Sequence, residues 1–372
     1  MTEAINLFSP VKLGRYTLPN RIMMAPMTRM RAIGSIPNSL MATYYAQRAS
    51  AGLIITESAM ISPLSNTYMN CPGIYSQPQV EGWKLVTDAV HARGGKIFLQ
   101  IWHSGRVGHP SLLNGKLPVA PSAIAPNWKL DTPLGKLPIE TPRALEIDEI
   151  AEIIEEFRSA AKNAMIAGFD GVEIHGGFGF LIDQFLQDGA NHRTDKYGGS
   201  LPNRTRFLLE VVEAVTGVWG SDRVGIKLAP SNTVYGIFDA DRRATFSYAI
   251  DALNSFNLAY LHLPEPKEVD IANGNVINPV APTFRPIYKS AIVTNCLYDK
   301  AKANAVLAAG DADLVSFARL FIANPDLPER FAINAPLNTP NPKTFCPEGE
   351  NEIEKGYTDY SYLESSLISS SP

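Results

Sequence analysis

Eight short apolar runs, each followed by a segment long enough to form a helix, do most to limit the folds open to this chain. They are Arg21–Ala25, Gly52–Thr56, Lys96–Ile101, Gly171–Ile174, Val224–Lys227, Tyr260–Leu263, Ala291–Val293 and Leu314–Ser316. Runs that are apolar throughout, rather than at every second position, suit strands buried on both faces, as in a parallel sheet. Their regular alternation with helices implies α/β architecture. Eight such units in 372 residues fit one (β/α)8 TIM barrel, since these range from about 200 to more than 400 residues. The expectation is a single barrel domain over residues 1–362, with residues 363–372, rich in serine, as a disordered tail. Two departures from a plain barrel are readable. Residues 5–20, with Leu13-Gly-Arg-Tyr-Thr-Leu-Pro19, read as a hairpin ahead of the first strand, placed to plug the barrel bottom. Residues 103–145 form a long Pro-, Gly- and Ser-containing capping insertion after the third strand. Loops of that length are usually functional or disordered, and at the active-site end a lid is expected.

Composition narrows the partners. A net charge of −4 with 19% charged residues describes an ordinary surface, with no basic stripe to attract nucleic acid or an anionic membrane. No apolar run approaches the roughly 20 residues that a membrane helix needs, and the opening Met-Thr-Glu-Ala-Ile-Asn lacks a signal-peptide core. Cys71, Cys296 and Cys346 give neither a zinc pattern nor a disulfide framework, so no metal is expected and the cytoplasm is the default location.

Barrel enzymes carry their working groups at the carboxyl ends of the strands. Polar residues gather there in this chain. Pro26-Met27-Thr28 follow the first run, Ser58 the second, and Gln100 and Trp102 end the third. His175 closes the fourth and Lys227 the fifth; Thr294–Leu297 follow the seventh, and Ala318-Arg319 the eighth. One such residue alone would usually be a satisfied structural group. Convergence from seven strand ends points to a site.

The run Glu173-Ile-His-Gly-Gly-Phe-Gly-Phe-Leu-Ile-Asp-Gln-Phe185, followed by Asn191-His-Arg-Thr-Asp-Lys-Tyr-Gly-Gly-Ser200 and Asn203-Arg204, closely resembles the Old Yellow Enzyme family of FMN-dependent ene-reductases. Further matches are Ala25-Pro-Met-Thr-Arg29, Tyr45-Ala-Gln-Arg48, Pro72-Gly-Ile-Tyr75, Gln100-Ile-Trp-His-Ser-Gly-Arg106, Asn324-Pro-Asp326 and Gly356-Tyr-Thr-Asp-Tyr360. They span about residues 5–362 and look most like the bacterial and plant enoate-reductase branch. The resemblance implies FMN as cofactor, NADPH or NADH as reductant, and a small apolar enone-like substrate. It implies that Pro26, Met27, Thr28, Ser58, Gln100 and Lys227 contact the flavin ring, and that Cys296, Leu297, Ala318 and Arg319 meet the phosphate. It places Trp102, His175, Phe178, Phe180 and Tyr357 around the substrate, with His175 as the catalytic group on the carbonyl oxygen.

The chain departs from the family where chemistry is concentrated. Three residues after the strand-end histidine the family has Asn or His, a second carbonyl donor; here stands Phe178. Five residues after it the family has the Tyr that donates the proton; here stands Phe180. Cys296-Leu297 replace a Gly-Gly or Gly-Asn pair, Ala318 a Gly, Lys227 an Arg, and Ser58 a Gly or Ala. Three functions stay open at this point. The chain resembles an FMN-dependent reductase of the activated C=C bond in a bulky apolar α,β-unsaturated carbonyl compound. A redox-neutral isomerase or cyclase on the same barrel, with or without FMN, would also explain altered flavin contacts. A non-catalytic binding protein is the third.

Overall fold

Backbone pairing joins the eight runs into one closed parallel sheet. In the computed structural model, which describes residues 4–347 and 352–363, the barrel strands are Ile22–Met24, Leu53–Ile55, Ile97–Trp102, Gly171–His175, Val224–Lys227, Tyr260–Pro264, Ala291–Asn295 and Leu314–Phe317. Each pairs with its neighbours in chain order, and the eighth returns to the first through Phe317 and Met24. The tail expected over 363–372 lies, beyond Leu363, outside the described residues.

The inside of the lower barrel is filled by Met23, Leu53, Ile55, Phe98, Tyr260, Val293 and Leu314. Gly225 makes room for the largest of these: a Cβ there would lie 2.1 Å from the Tyr260 ring. The expected hairpin forms from Val11–Leu13 and Tyr16–Leu18, and its Val11, Leu13 and Leu18 seal the same cluster from below. Each side chain so buried contributes about 1.5–3 kcal/mol.

Outside the sheet, helices present one apolar stripe inward. In Ile147–Ile166 the buried residues Ile150, Ile153, Phe157, Ala160, Ala161 and Ala164 recur at helical spacing. Helix starts are fixed by side chains that accept otherwise unpaired N–H groups. Asp299 does this for Lys300–Ala309 through Lys302 N, and Asp241 for Arg242–Leu253 through Ala244 N. Both caps stand just after loops at the carboxyl end of the barrel, so they also position that rim.

The insertion after the third strand is ordered. Val119–Ala120 pairs in parallel with Arg143–Ala144, and Lys129–Thr132 forms a hairpin with Gly135–Pro138. Its Leu130 and Ile139 share a separate apolar cluster with Trp102, Phe180 and Tyr235. The insertion therefore covers the barrel mouth by packing its aliphatic side chains on an aromatic cluster.

Candidate active site

One cavity of about 1020 Å³ opens at the carboxyl end of the sheet. It brings together Pro26, Thr28, Ser58, Gln100, Trp102, His175, Phe178, Phe180, Lys227, Cys296, Leu297, Ala318 and Arg319. Two residues expected there stand elsewhere. Met27 packs its side chain against the apolar core. Tyr357 is fully buried and stacks on Tyr44, 4.0 Å between ring centroids, with the Arg29 and Arg31 guanidinium groups over it.

His175 is fixed in one protonation state and one tautomer. Burial, helped by the Lys227 charge, pushes its imidazolium down to about 3, so the ring is neutral near pH 7. Gly177 N–H donates to Nδ1 at 3.3 Å, which leaves the ring proton on Nε2. The site thus offers a neutral N–H donor. Phe178 and Phe180 meet His175 edge to face, at 5.9 and 5.0 Å between centroids, and Phe180 packs edge-on against Trp102 at 4.6 Å. These rings make a largely apolar wall whose polar edges are the imidazole of His175 and the indole N–H of Trp102, which finds no acceptor among the described residues.

Next to this wall, on the strand adjacent to His175, the cavity is cationic and rich in unpaired donors. Lys227 is buried, yet among the described residues no carboxylate lies within 4 Å of its ammonium, which sits 5.3 Å from the centre of the Phe178 ring. Burial lowers its pKa and Glu173 partly offsets this. Beyond it, Cys296 and Leu297 adopt φ of 72° and 60°, the left-handed region that glycine normally occupies. Among the described residues the N–H groups of Cys296, Leu297 and Ala318 donate to no backbone acceptor. Successive free N–H groups in such a conformation form an anion-binding concavity, and Arg319 adds a full charge at the same end.

A buried polar chain runs beneath the cavity and crosses six of the strand ends. The Ser58 hydroxyl donates to Gln100 Oε1, and Gln100 Nε2 donates to Glu173 at 2.6 Å. His262 Nδ1 donates to the other Glu173 oxygen at 2.9 Å, and the Ser316 hydroxyl donates to His262 Nε2 at 2.8 Å. Asn295 completes it with a 2.7 Å bond to Ser316 Oγ. Burial alone would raise the Glu173 pKa, but His262, Lys227 and Gln100 outweigh it and hold the carboxylate below its usual range. The consequence for the site is orientation: Gln100 has one N–H and one lone pair left, both pointing away from its two fixed partners.

Sequence reasoning passed over Tyr68, Tyr235, Lys267 and Tyr298, which also line the cavity. It looked only at the first residues beyond each strand. Tyr68 and Tyr235 sit further out, in loops after the second and fifth strands, where Asn232-Thr-Val-Tyr-Gly236 carries a turn signal.

Residues 6–338 match the family described as NADH:flavin oxidoreductase / NADH oxidase. A 12-oxophytodienoate reductase 1 from Oryza sativa subsp. japonica is 44% identical over 364 residues, covering 97% of this chain and 94% of that protein. A solved structure of morphinone reductase in complex with tetrahydroNAD is 46% identical, covers 97% of this chain and 99% of that one, and superposes with a TM-score of 0.91. The Old Yellow Enzyme homologue from Zymomonas mobilis, 42% identical, covers 96% and 100% with a TM-score of 0.92.

Proposed function

This chain belongs to the NADH:flavin oxidoreductase / NADH oxidase family, the Old Yellow Enzyme family, and from that premise we propose that it reduces the activated C=C bond of a bulky apolar α,β-unsaturated carbonyl compound, with NADH or NADPH as reductant. It is an FMN-dependent oxidoreductase, and the residues present fit FMN. Thr28, Gln100 and Lys227 would hold the ring through their free donors; Cys296 and Leu297 N–H groups with Arg319 would hold the phosphate. When bound, FMN supplies a hydride to the carbon β to the carbonyl.

The chain's own residues do the rest. His175 Nε2–H donates to the carbonyl oxygen as negative charge develops there, and because Nδ1 accepts from Gly177 the neutral ring keeps its proton on Nε2. Phe178 cannot add a second donor, which costs about 2.7–4 kcal/mol of transition-state stabilisation relative to a two-donor site. Trp102, Phe178 and Phe180 exclude water and favour a large apolar substrate. The observation that carries this reading is the joint presence, in one cavity, of a neutral imidazole donor and a buried ammonium that no carboxylate pairs among the described residues.

The loop after the seventh strand weighs against a flavin-free, redox-neutral enzyme. Holding Cys296 and Leu297 in the left-handed region costs about 1–2 kcal/mol each. A backbone that must approach a phosphate accounts for keeping that shape after glycine is lost. The three unpaired cysteines suit a reducing, cytoplasmic setting.

The visible spectrum of purified protein tests the reading. We expect bound flavin absorbance that NADH or NADPH bleaches and that 2-methylcyclohex-2-en-1-one restores in the absence of oxygen. A colourless protein that refuses added FMN, or flavin that no nicotinamide bleaches, would overturn it.

A further inference from the structure

The Phe180 substitution removes a hydroxyl from the cavity wall, and the structure holds a phenol one ring further out. Tyr235 packs on Phe180, 5.8 Å between centroids, and Phe180 in turn packs on His175 at 5.0 Å. The Tyr235 hydroxyl is hydrogen-bonded to that of Tyr68 at 2.8 Å, and both residues line the cavity. Tyr68 stacks on Trp102 at 5.8 Å, so the pair belongs to the same aromatic wall as the carbonyl donor.

Tyr235 is held there against a backbone penalty. Its φ of 56° and ψ of 26° lie in the left-handed region, unusual for an aromatic residue. The indole of Trp128, at the base of the insertion's hairpin, packs edge-on against it at 5.5 Å, and Arg106 Nη2 donates to its carbonyl at 3.4 Å. Non-glycine residues kept in such conformations gather at functional sites.

We propose that Tyr235 is the proton donor to the α-carbon, replacing the tyrosine that Phe180 displaces, and that Tyr68 is the positioning residue that supports its phenolate. The assignment rests on the ene-reductase reading above. The hydride brings one hydrogen and two electrons to the β-carbon and leaves an enolate. The Tyr235 O–H bond then breaks, a C–H bond forms at the α-carbon, and the phenolate left behind accepts the Tyr68 O–H bond until solvent reprotonates it. Two hydroxyls in one pair carry two protons, and only one is used between them, so one O–H is free to be delivered. A donor bonded to the oxygen that loses its proton makes that oxygen more acidic. Consistent with this direction, burial raises both phenols, while the bond from Tyr68 lowers Tyr235 and no such relief reaches Tyr68.

The test uses the FMN-loaded enzyme and 2-methylcyclohex-2-en-1-one, whose α-methyl group makes protonation create a stereocentre. Enone reoxidation is measured relative to NADH bleaching. In Tyr235→Phe this ratio should fall about 100-fold or more, the range for a general acid, and the α-carbon should lose its single configuration. Adding Phe180→Tyr to that variant should restore rate by returning a hydroxyl to the neighbouring ring. A readout without turnover is the ultraviolet tyrosinate titration: Tyr68→Phe should move the Tyr235 transition to higher pH. An unchanged ratio and configuration in Tyr235→Phe, or a Tyr68→Phe titration identical to that of wild type, would overturn the assignment. A wild type that no enone reoxidises would remove the ene-reductase reading, and this assignment with it; a competent wild type beside an indifferent variant removes the assignment alone.

Discussion

His175 and Tyr357 were expected on the same substrate surface, and their surroundings now separate them. His175 presents a neutral Nε2–H to the cavity, whereas the Tyr357 hydroxyl is buried with no partner among the described residues, beneath stacked Tyr44. Loss of one oxyanion-type donor costs about 2.7–4 kcal/mol, so His175→Ala should slow enone reoxidation about 100- to 1000-fold. Tyr357→Phe removes an unsatisfied hydroxyl and should leave that rate unchanged. Stopped-flow reoxidation of both variants decides; equal effects would sink the carbonyl role of His175. The two phenylalanines were legible in the sequence because they sit at fixed offsets from a strand end. Tyr235 was not, because its place depends on a left-handed turn that brings a loop residue back over the fourth strand.

Among elements, the loop after the seventh strand shows how a rim can keep its shape without its usual residues. Leu297 is 63% exposed, so its side chain gains little from burial while its backbone sits at φ 60°. Leu297→Gly should therefore stabilise the cofactor-free protein by about 1 kcal/mol, less the larger unfolded-state entropy of glycine. Urea unfolding gives the answer: a loss of stability, as at an ordinary exposed leucine, would mean the loop is not strained. The eight barrel strands were readable to within a residue or two because burial on both faces makes each run continuously apolar. The small strands of the insertion were not, since Val119–Ala120 is a strand only by virtue of Arg143–Ala144, twenty-four residues away. Pairing at that range leaves no local period to read.

For the whole molecule, the interior sets two opposing responses to acid. Burial holds His103 and His175 down to about 3 and, with Lys227, His262 to about 4, so each stays neutral when folded. Below about pH 6.5 the unfolded chain binds protons that these rings refuse, and stability falls as pH falls. Burial acts the other way on carboxyls, raising Glu57 to about 7 and Asp183 to about 6. Between pH 7 and their unfolded values near 4, the folded state holds protons that the unfolded chain releases, so these two groups add stability as pH falls. Glu57 accepts from Arg29 N–H and from the Tyr45 hydroxyl, and Arg29 bonds the Gly356 carbonyl, so this carboxyl ties the first barrel loop to the C-terminal segment. Glutamine at 57 cannot titrate; its one amide oxygen can keep the Arg29 N–H bond while its amide N–H turns to the Tyr45 hydroxyl as donor. Glu57→Gln should therefore be more stable relative to wild type at pH 7 than at pH 5, by about 2–3 kcal/mol for a shift of this size. It should also lose stability more steeply than wild type across that interval, because the three histidines then act unopposed by Glu57. Urea midpoints at the two pH values, in saturating FMN, measure both quantities. Parallel pH slopes for the two proteins would show that Glu57 does not titrate in this range.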